Sequence, residues 1–133
     1  MRFHLSLNVN DVAESVDFYE KVFGVKPQKQ NSTYAKFDLQ APSLNLSMQH
    51  GRSGTGTTSR VSHFGIEVNS ADEMMRWQKR LTEQGLVKLV ESDTACCFAR
   101  QDKVWFADPD GNAWEVFHVH EQLPVTETAA CCA

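Results

Sequence analysis

Residues 2–9, RFHLSLNV, alternate strictly, with Phe3, Leu5, Leu7 and Val9 on one side and His4, Ser6 and Asn8 on the other. That period of two predicts a half-buried strand. The period then changes. In DVAESVDFYEKVFG, Val12, Val16, Phe18, Tyr19 and Val22 recur at helical spacing, with Asn10 or Asp11 as the N-cap and Gly24 as the stop. Three short strand-like runs follow, around 25–30, 33–39 and 43–49. From residue 61 the same order begins again. SHFGIEVNSADEMMRWQKRLTEQG reads as a strand, a cap at Asn69 or Ser70, an amphipathic helix and a stop at Gly85. Strands are expected at 86–91, 103–107 and 113–118, the last two joined by DPDG (108–111), where Pro presets φ and Gly accepts φ > 0.

The two halves superimpose as sequence. HLSLNVN (4–10) lies over HFGIEVN (63–69), so that H-x-x-x-x-V-N occurs twice, 59 positions apart. That period is too long for a solenoid and marks a duplicated supersecondary unit, β-α-β-β-β in each half. The expected fold is α+β: two tandem βαβββ modules forming a curved mixed sheet around a metal-binding cleft. One domain is expected over 1–120, with modules of about 1–50 and 61–120, a linker at 51–60 and a flexible, cysteine-ended tail at 121–133. The linker region, HGRSGTGTTSR (50–60), is rich in Gly, Ser and Thr, but its glycines do not follow the dinucleotide fingerprint.

Composition narrows the partners. The chain has 133 residues, 41% of them hydrophobic, enough for one compact domain or two small halves sharing a core. A net charge of −4 with no basic stripe argues against nucleic acid. The start, MRFHLSLNVN, has no long apolar run and no cleavage-site pattern, so neither a membrane span nor a signal peptide is expected, and the cytoplasm is the default location.

The histidines stand on the wrong side of their strands for a core. His4 shares a face with Ser6 and Asn8, and His63 with Gly65 and Glu67. If the two sheets curve together, duplicated strands bring duplicated imidazoles to one cleft. In AWEVFHV (113–119), Glu115 and Phe117 face one way, and Glu115 sits in an apolar strand where an unpaired carboxylate would be costly. His4, His63 and Glu115 are therefore candidate metal ligands. Such a facial set suits non-haem iron(II), and zinc or manganese would also accept it. The first-half counterpart of Glu115 is expected near Asn45, a poor ligand, which agrees with an open three-ligand site. The HVH at 118–120 is a rival metal site without a first-half partner, and Tyr34, His50 and Arg100 are candidate acid–base groups.

All four cysteines occur as adjacent pairs, Cys96–Cys97 and Cys131–Cys132. A reducing compartment and adjacent placement both argue against disulfides, and no common zinc spacing is present. Ligand or reactive thiols are the expectation. Successive strand residues point to opposite faces, so Cys96 and Cys97 can converge only from a loop or turn, placed in SDTACCFARQD (92–102).

The duplicated unit, the paired H-x-x-x-x-V-N strands and DPDGNAWEVF together resemble the vicinal oxygen chelate superfamily of glyoxalase, bleomycin resistance and extradiol dioxygenase proteins, over about residues 2–120. TACCFARQDKVWFADPDGNAWEVF (94–117) and the terminal ACCA further resemble the organoarsenical C–As lyases, some known as cadmium-induced proteins. The resemblance implies an iron(II)-dependent dioxygenase, with O₂ as co-substrate, that breaks the carbon–arsenic bond of trivalent methyl- or aryl-arsenicals and releases arsenite. It assigns His4, His63 and Glu115 to iron, and Cys96 and Cys97 to arsenic. Cys131 and Cys132 are candidates for accessory capture. The substrate would be a small organoarsenical, and the protein a monomer or homodimer. Two other readings are a cadmium- or arsenic-sequestering protein without turnover, and another metal-dependent enzyme of the superfamily using zinc or manganese.

Overall fold

The first strand, β1 (Arg2–Val9), has the bounds its alternation predicts, and the second half repeats it as β5 (Val61–Glu67). In the computed structural model, which describes residues 1–51, 60–109 and 111–127, each is followed by a helix, α1 (Val12–Phe23) or α2 (Ala71–Glu83). The remaining strands are β2 (Lys29–Gln30), β3 (Tyr34–Gln40) and β4 (Ser43–His50) in the first half. In the second half they are β6 (Leu89–Cys96), β7 (Ala99–Ala107) and β8 (Ala113–Gln122). The helices start where side-chain caps allow. Asp11 accepts the backbone N–H of Glu14, and Ser70 that of Glu73, each satisfying a donor that the first turn leaves open. Gly24, with φ of 72°, ends α1 in the left-handed region.

All eight strands form one mixed sheet in the order β2-β3-β4-β1-β5-β8-β7-β6. Within each half the first strand pairs parallel with the last, β1 with β4 and β5 with β8, whereas β1 and β5 join the halves antiparallel. The helices cover one face of the sheet. Val12 and Val16 of α1 pack on Ala35, Phe37, Leu39, Leu46 and Met48, and Met74 and Leu81 of α2 on Val68, Val104 and Val116. Phe18 and Val22, counted above as helical apolar positions, face outward instead. The other face carries Tyr34, Lys36, Asn45, Ser47, His4, Ser6, His63, Glu115, Lys103 and Gln101, all buried. A buried face this polar lines a cleft, because alternation sends every second side chain to it.

Several boundaries differ from expectation: β8 runs on past 118 to Gln122, into the expected tail, and β6 and β7 reach further toward each other. The first-half run at 25–30 shortens to Lys29–Gln30, since Pro27 has no N–H for a ladder. The 92–102 segment is not a loop: β6 runs through it to Cys96 and β7 starts at Ala99.

The two halves are also clasped at the cleft rim. Lys29 Nζ donates to the carbonyls of Phe98 (2.6 Å) and Cys97 (3.3 Å) and to Gln122 Oε1 (2.7 Å). Asn31 Nδ2 donates to the Thr126 carbonyl, Ser32 binds the Glu127 carboxylate, and the Leu123 N–H binds the Phe98 carbonyl. Residues 52–59 of the expected linker, Asp110 of the DPDG turn, and Cys131 and Cys132 lie outside the described residues. No described helix is long and apolar enough to cross a membrane.

Candidate metal centre

The sheet register brings His4, Gly65 and Glu115 into one row across β1, β5 and β8, with Asn45 on β4 beside His4. His63 enters two residues earlier on β5, opposite Ser6. His4 Nε2 lies 3.1 Å from His63 Nε2, and both lie 3.4 Å from Glu115 Oε1. Among the described residues this is the one group of three His, Cys, Asp or Glu side chains close enough to share an ion.

Each donor is fixed from behind. His4 Nδ1 lies 3.0 Å from the Asn45 carbonyl. A carbonyl only accepts, so that nitrogen carries the proton and a neutral His4 presents a bare Nε2. His63 Nδ1 lies 3.0 Å from Ser62 Oγ. The β1–β5 register slips between Ser6 and Leu7, which leaves Ser62 without an opposite residue on β1. Phe117 packs edge-on against His4, at 5.3 Å between ring centroids, and Trp105 against His63 at 5.2 Å. Glu115 is 1% exposed, and its Oε2 accepts from Lys103 Nζ at 3.0 Å, leaving Oε1 toward the imidazoles.

Gly65 permits the convergence. A Cβ there would lie 3.0 Å from Glu115 Cγ, 3.1 Å from the Glu115 carbonyl oxygen and 3.1 Å from His4 Cδ2. In a strand interior a glycine marks such close approach.

The protonation states suit cation binding. Burial, the largest influence, pushes the His4 imidazole down to about 4 despite the opposing charge of Glu115. Burial alone would raise Glu115, but the hydrogen bond from His63, the charge of Lys103 and then the two imidazoles bring it to about 2. With no cation, His63 Nε2–H supplies the bond to Glu115. With a cation on Nε2, His63 would carry its proton on Nδ1, 3.0 Å from the Ser62 oxygen. Donors 3.1–3.4 Å apart, each about 2.1 Å from an ion, subtend roughly 95–110°. They occupy adjacent positions on one side of a metal, so the three side chains fit a divalent ion.

The first-half counterpart of Glu115 follows from the register. Gly65 faces Glu115 and its repeat equivalent, Ser6, faces Ser47. Ser47, and not Asn45, stands at the equivalent place. Asn45 instead serves His4 through its backbone carbonyl.

Cys96 ends β6, Cys97 and Phe98 form a two-residue turn, and Ala99 begins β7 opposite Cys96. Cys97 and Phe98 take φ of 53° and 59°, both left-handed, and so bring the two Sγ atoms to 3.6 Å. The thiols therefore converge from a turn as expected, although a far shorter one. Cys96 is a buried thiol outside any disulfide, whereas Cys97 is in one, which corrects the reading of both as reduced thiols.

A small cavity of about 30 Å³ connects the two groups: His4, Glu115 and Phe117 line it beside Cys97, Tyr34 and Asn45, and Lys36, Gln101 and Lys103 complete its polar wall. Tyr34 thus reaches the site, its phenol raised by burial and by Cys96 and Glu115. Arg100 is paired with Asp93, and His50 is exposed at the end of β4. Neither lines the cavity. His118 and His120 are 6.2 Å apart between ring centroids, with Asp93 and Asp102 near His120. Sequence reasoning missed Lys103, Gly65, Ser62 and the two aromatic wedges. A glycine interrupting the alternating strand of the repeat was the one local signal.

The Glyoxalase/Bleomycin resistance protein/Dioxygenase superfamily model matches residues 3–116. The trivalent organoarsenical cleaving enzyme of Bacillus sp. (strain MD1) is 40% identical over 132 residues, covering 97% of this chain and 81% of its own. The cadmium-induced protein CadI of Mycobacterium bovis is 38% identical over 143 residues, covering 98% of this chain and 92% of its own. Among solved structures, homoprotocatechuate 2,3-dioxygenase from Arthrobacter globiformis shares the fold with a TM-score of 0.66 at 21% identity, over 91% of this chain and 36% of that one.

Two outcomes are expected. Gly65→Ala crowds His4 and Glu115, costing about 1–3 kcal/mol in urea unfolding and weakening divalent-metal binding measured by calorimetry. Unchanged metal affinity would mean that the close approach is not needed. Without metal, His4 titrates near 6.5 when unfolded and near 4 when folded. The unfolded chain binds the extra proton in that window, so stability is full above it and falls as pH drops from 6.5 towards 4. The loss is about 3 kcal/mol and is smaller in His4→Gln; equal pH slopes for the two proteins would exclude His4 as its source.

Proposed function

Because the chain belongs to the glyoxalase/bleomycin resistance protein/dioxygenase superfamily, and within it to the family of trivalent organoarsenical cleaving enzymes and cadmium-induced proteins, we propose that it cleaves the carbon–arsenic bond of trivalent organoarsenicals. It does so as an iron(II)- and dioxygen-dependent enzyme that releases arsenite. The observation that carries this reading is one small cavity lined both by His4 and Glu115 and by Cys97.

The division of labour follows ligand chemistry. His4, His63 and Glu115 form a nitrogen–oxygen set that holds iron(II), and the soft thiols of Cys96 and Cys97 hold trivalent arsenic. Iron(II) bound there supplies dioxygen binding and redox capacity. Two sulfurs 3.6 Å apart are within reach of one atom making bonds of about 2.3 Å to each, and the second bond forms intramolecularly. Both thiols must be reduced for this, so the Cys97 disulfide opens before substrate binds. A cytoplasmic location supplies the reducing conditions. Held by two sulfurs, arsenic has one substituent left, the organic group, which is the one to be cleaved. A cavity of about 30 Å³ admits a methyl group or a water-sized ligand, whereas an aryl group requires the Cys97–Phe98 turn to move outward.

The atoms balance without any other reductant. Methylarsonous acid plus dioxygen gives arsenous acid plus formaldehyde. Arsenic stays trivalent, the carbon–arsenic bond is replaced by an arsenic–oxygen bond, and the electrons dioxygen takes up are those the methyl carbon gives up. Ser47 at the place equivalent to Glu115 is a weaker ligand than a carboxylate, and this favours an open three-ligand site over a closed four-ligand one.

The deciding experiment is anaerobic loading with iron(II) after disulfide reduction, then air and excess methylarsonous acid, with arsenic speciation over time. Arsenite accumulating beyond the amount of protein, only with both iron(II) and dioxygen and with equimolar formaldehyde, is expected. Tight binding that stops at stoichiometry would instead make this a sequestering protein. Omitting the reductant should abolish substrate binding but spare iron binding. Cys96→Ser should weaken arsenical binding at least about tenfold while iron content is kept, and Glu115→Ala should do the reverse. Equal loss of iron in both variants would sink the assignment of two separate sites.

A further inference from the structure

Glu115 neutralises Lys103 through a direct ion pair of 3.0 Å, but a second buried ammonium lines the same cavity, that of Lys36. Lys36 lies on β3, opposite Ser47 on β4, and is 8% exposed. Among the described residues its Nζ makes no ion pair and donates no hydrogen bond. The charges that act on it are Glu67 and Arg2, which are paired with each other, Arg2 also binding Asp38, and Lys29 opposite it on β2. A lysine at a cleft ordinarily extends its ammonium to water. Here the side chain is largely buried, and burial lowers its pKa, on a cavity with room for about two waters.

A divalent ion on the His4, His63 and Glu115 set would make that cavity more positive still, since the one carboxylate that lines it among the described residues is already matched by Lys103. Asn45 Oδ1, buried and without a hydrogen-bond partner, adds an acceptor suited to a bound water. The unmatched element is an anion.

We propose that Lys36 makes this cavity a small-monoanion subsite beside the metal position, and that in turnover its ammonium faces the negative charge developing on the co-substrate oxygen. The subsite rests on the metal reading given above and deepens it. A cation held in a water-poor cavity is aimed before the charge forms, so little reorganisation is needed when it does.

The test uses the reduced full-length protein loaded with cobalt(II), whose visible absorption reports its ligand set, titrated with sodium azide. Wild type should show a saturable spectral change. Lys36→Met should bind azide at least about tenfold more weakly, Lys36→Arg should retain binding, and cobalt(II) affinity should stay within about threefold in all three. Retained cobalt(II) affinity also shows that the variants fold, and Lys36→Gln replaces Lys36→Met if the latter does not. Equal azide affinity in wild type and Lys36→Met, or no saturable change in wild type, overturns the subsite while leaving the metal centre standing. Failure of wild type to bind cobalt(II), seen before azide is added, overturns the metal reading and the subsite with it.

Discussion

Glu115 carries a carboxylate into an interior where an unpaired charge would cost several kcal/mol, and the central strands are arranged around offsetting it. Lys103 on β7 holds one oxygen, and His63 and His4, on β5 and β1, face the other. Three different strands must therefore supply its partners. Between them, β5 can bring His4 and Glu115 together only because residue 65 has no side chain. The parallel β5–β8 pairing and the antiparallel β1–β5 joint are thus conditions for a tolerable buried charge as much as features of a fold. A bound cation adds to the same balance, which ties metal affinity to the stability of the central sheet.

Much of this was legible from period and repeat. The bounds of β1 follow from its alternation, both helix starts from Asp11 and Ser70, and the pairing of His4 with His63 from H-x-x-x-x-V-N occurring twice. What escaped was set by tertiary contacts. Cys97 and Phe98 are poor residues for a two-residue hairpin turn, which favours Asn-Gly, so nothing local marked the turn. It is held from elsewhere, by Lys29 on the Cys97 and Phe98 carbonyls and by Tyr34 against the Phe98 ring. Lys103 likewise carried no signal until β7 and β8 were placed in register. Ser47 was mistaken for Asn45 because a two-residue shift along a strand keeps the same face.

Left-handed backbone at two non-glycine residues costs on the order of 1–3 kcal/mol each, and such strain persists only where the surroundings over-determine it. The gain here is geometric. A continuous strand would send Cys96 and Cys97 to opposite faces, whereas the turn brings their sulfurs to 3.6 Å with Cys97 on the cavity wall. The clasp from Lys29, Asn31 and Ser32 spans the two halves at the same rim. It links the position of the thiols to the closure of the cleft, so that the soft-ligand pair and the nitrogen–oxygen set are held apart yet open onto one space.

Duplication explains both the likeness and the asymmetry of the two halves. Two copies of one strand place His4 and His63 equivalently, and if the last strands had also stayed alike, two carboxylates would complete a closed four-ligand site. They have not. Ser47 stands where Glu115 has its equivalent, Asn45 offers His4 a carbonyl where Ser62 offers His63 a hydroxyl, and Lys103 supports the carboxylate that remains. The first of these differences removes a carboxylate from the first-half side of the cleft. That side is also where Tyr34, Lys36 and Asn45 line the cavity. His4 and Glu115 of the candidate ligand set thus share the cavity with a wall that carries lysines and hydrogen-bonding groups, beside Cys97. A faithful duplicate, with a carboxylate at Ser47 as at Glu115, could not have supplied that asymmetry.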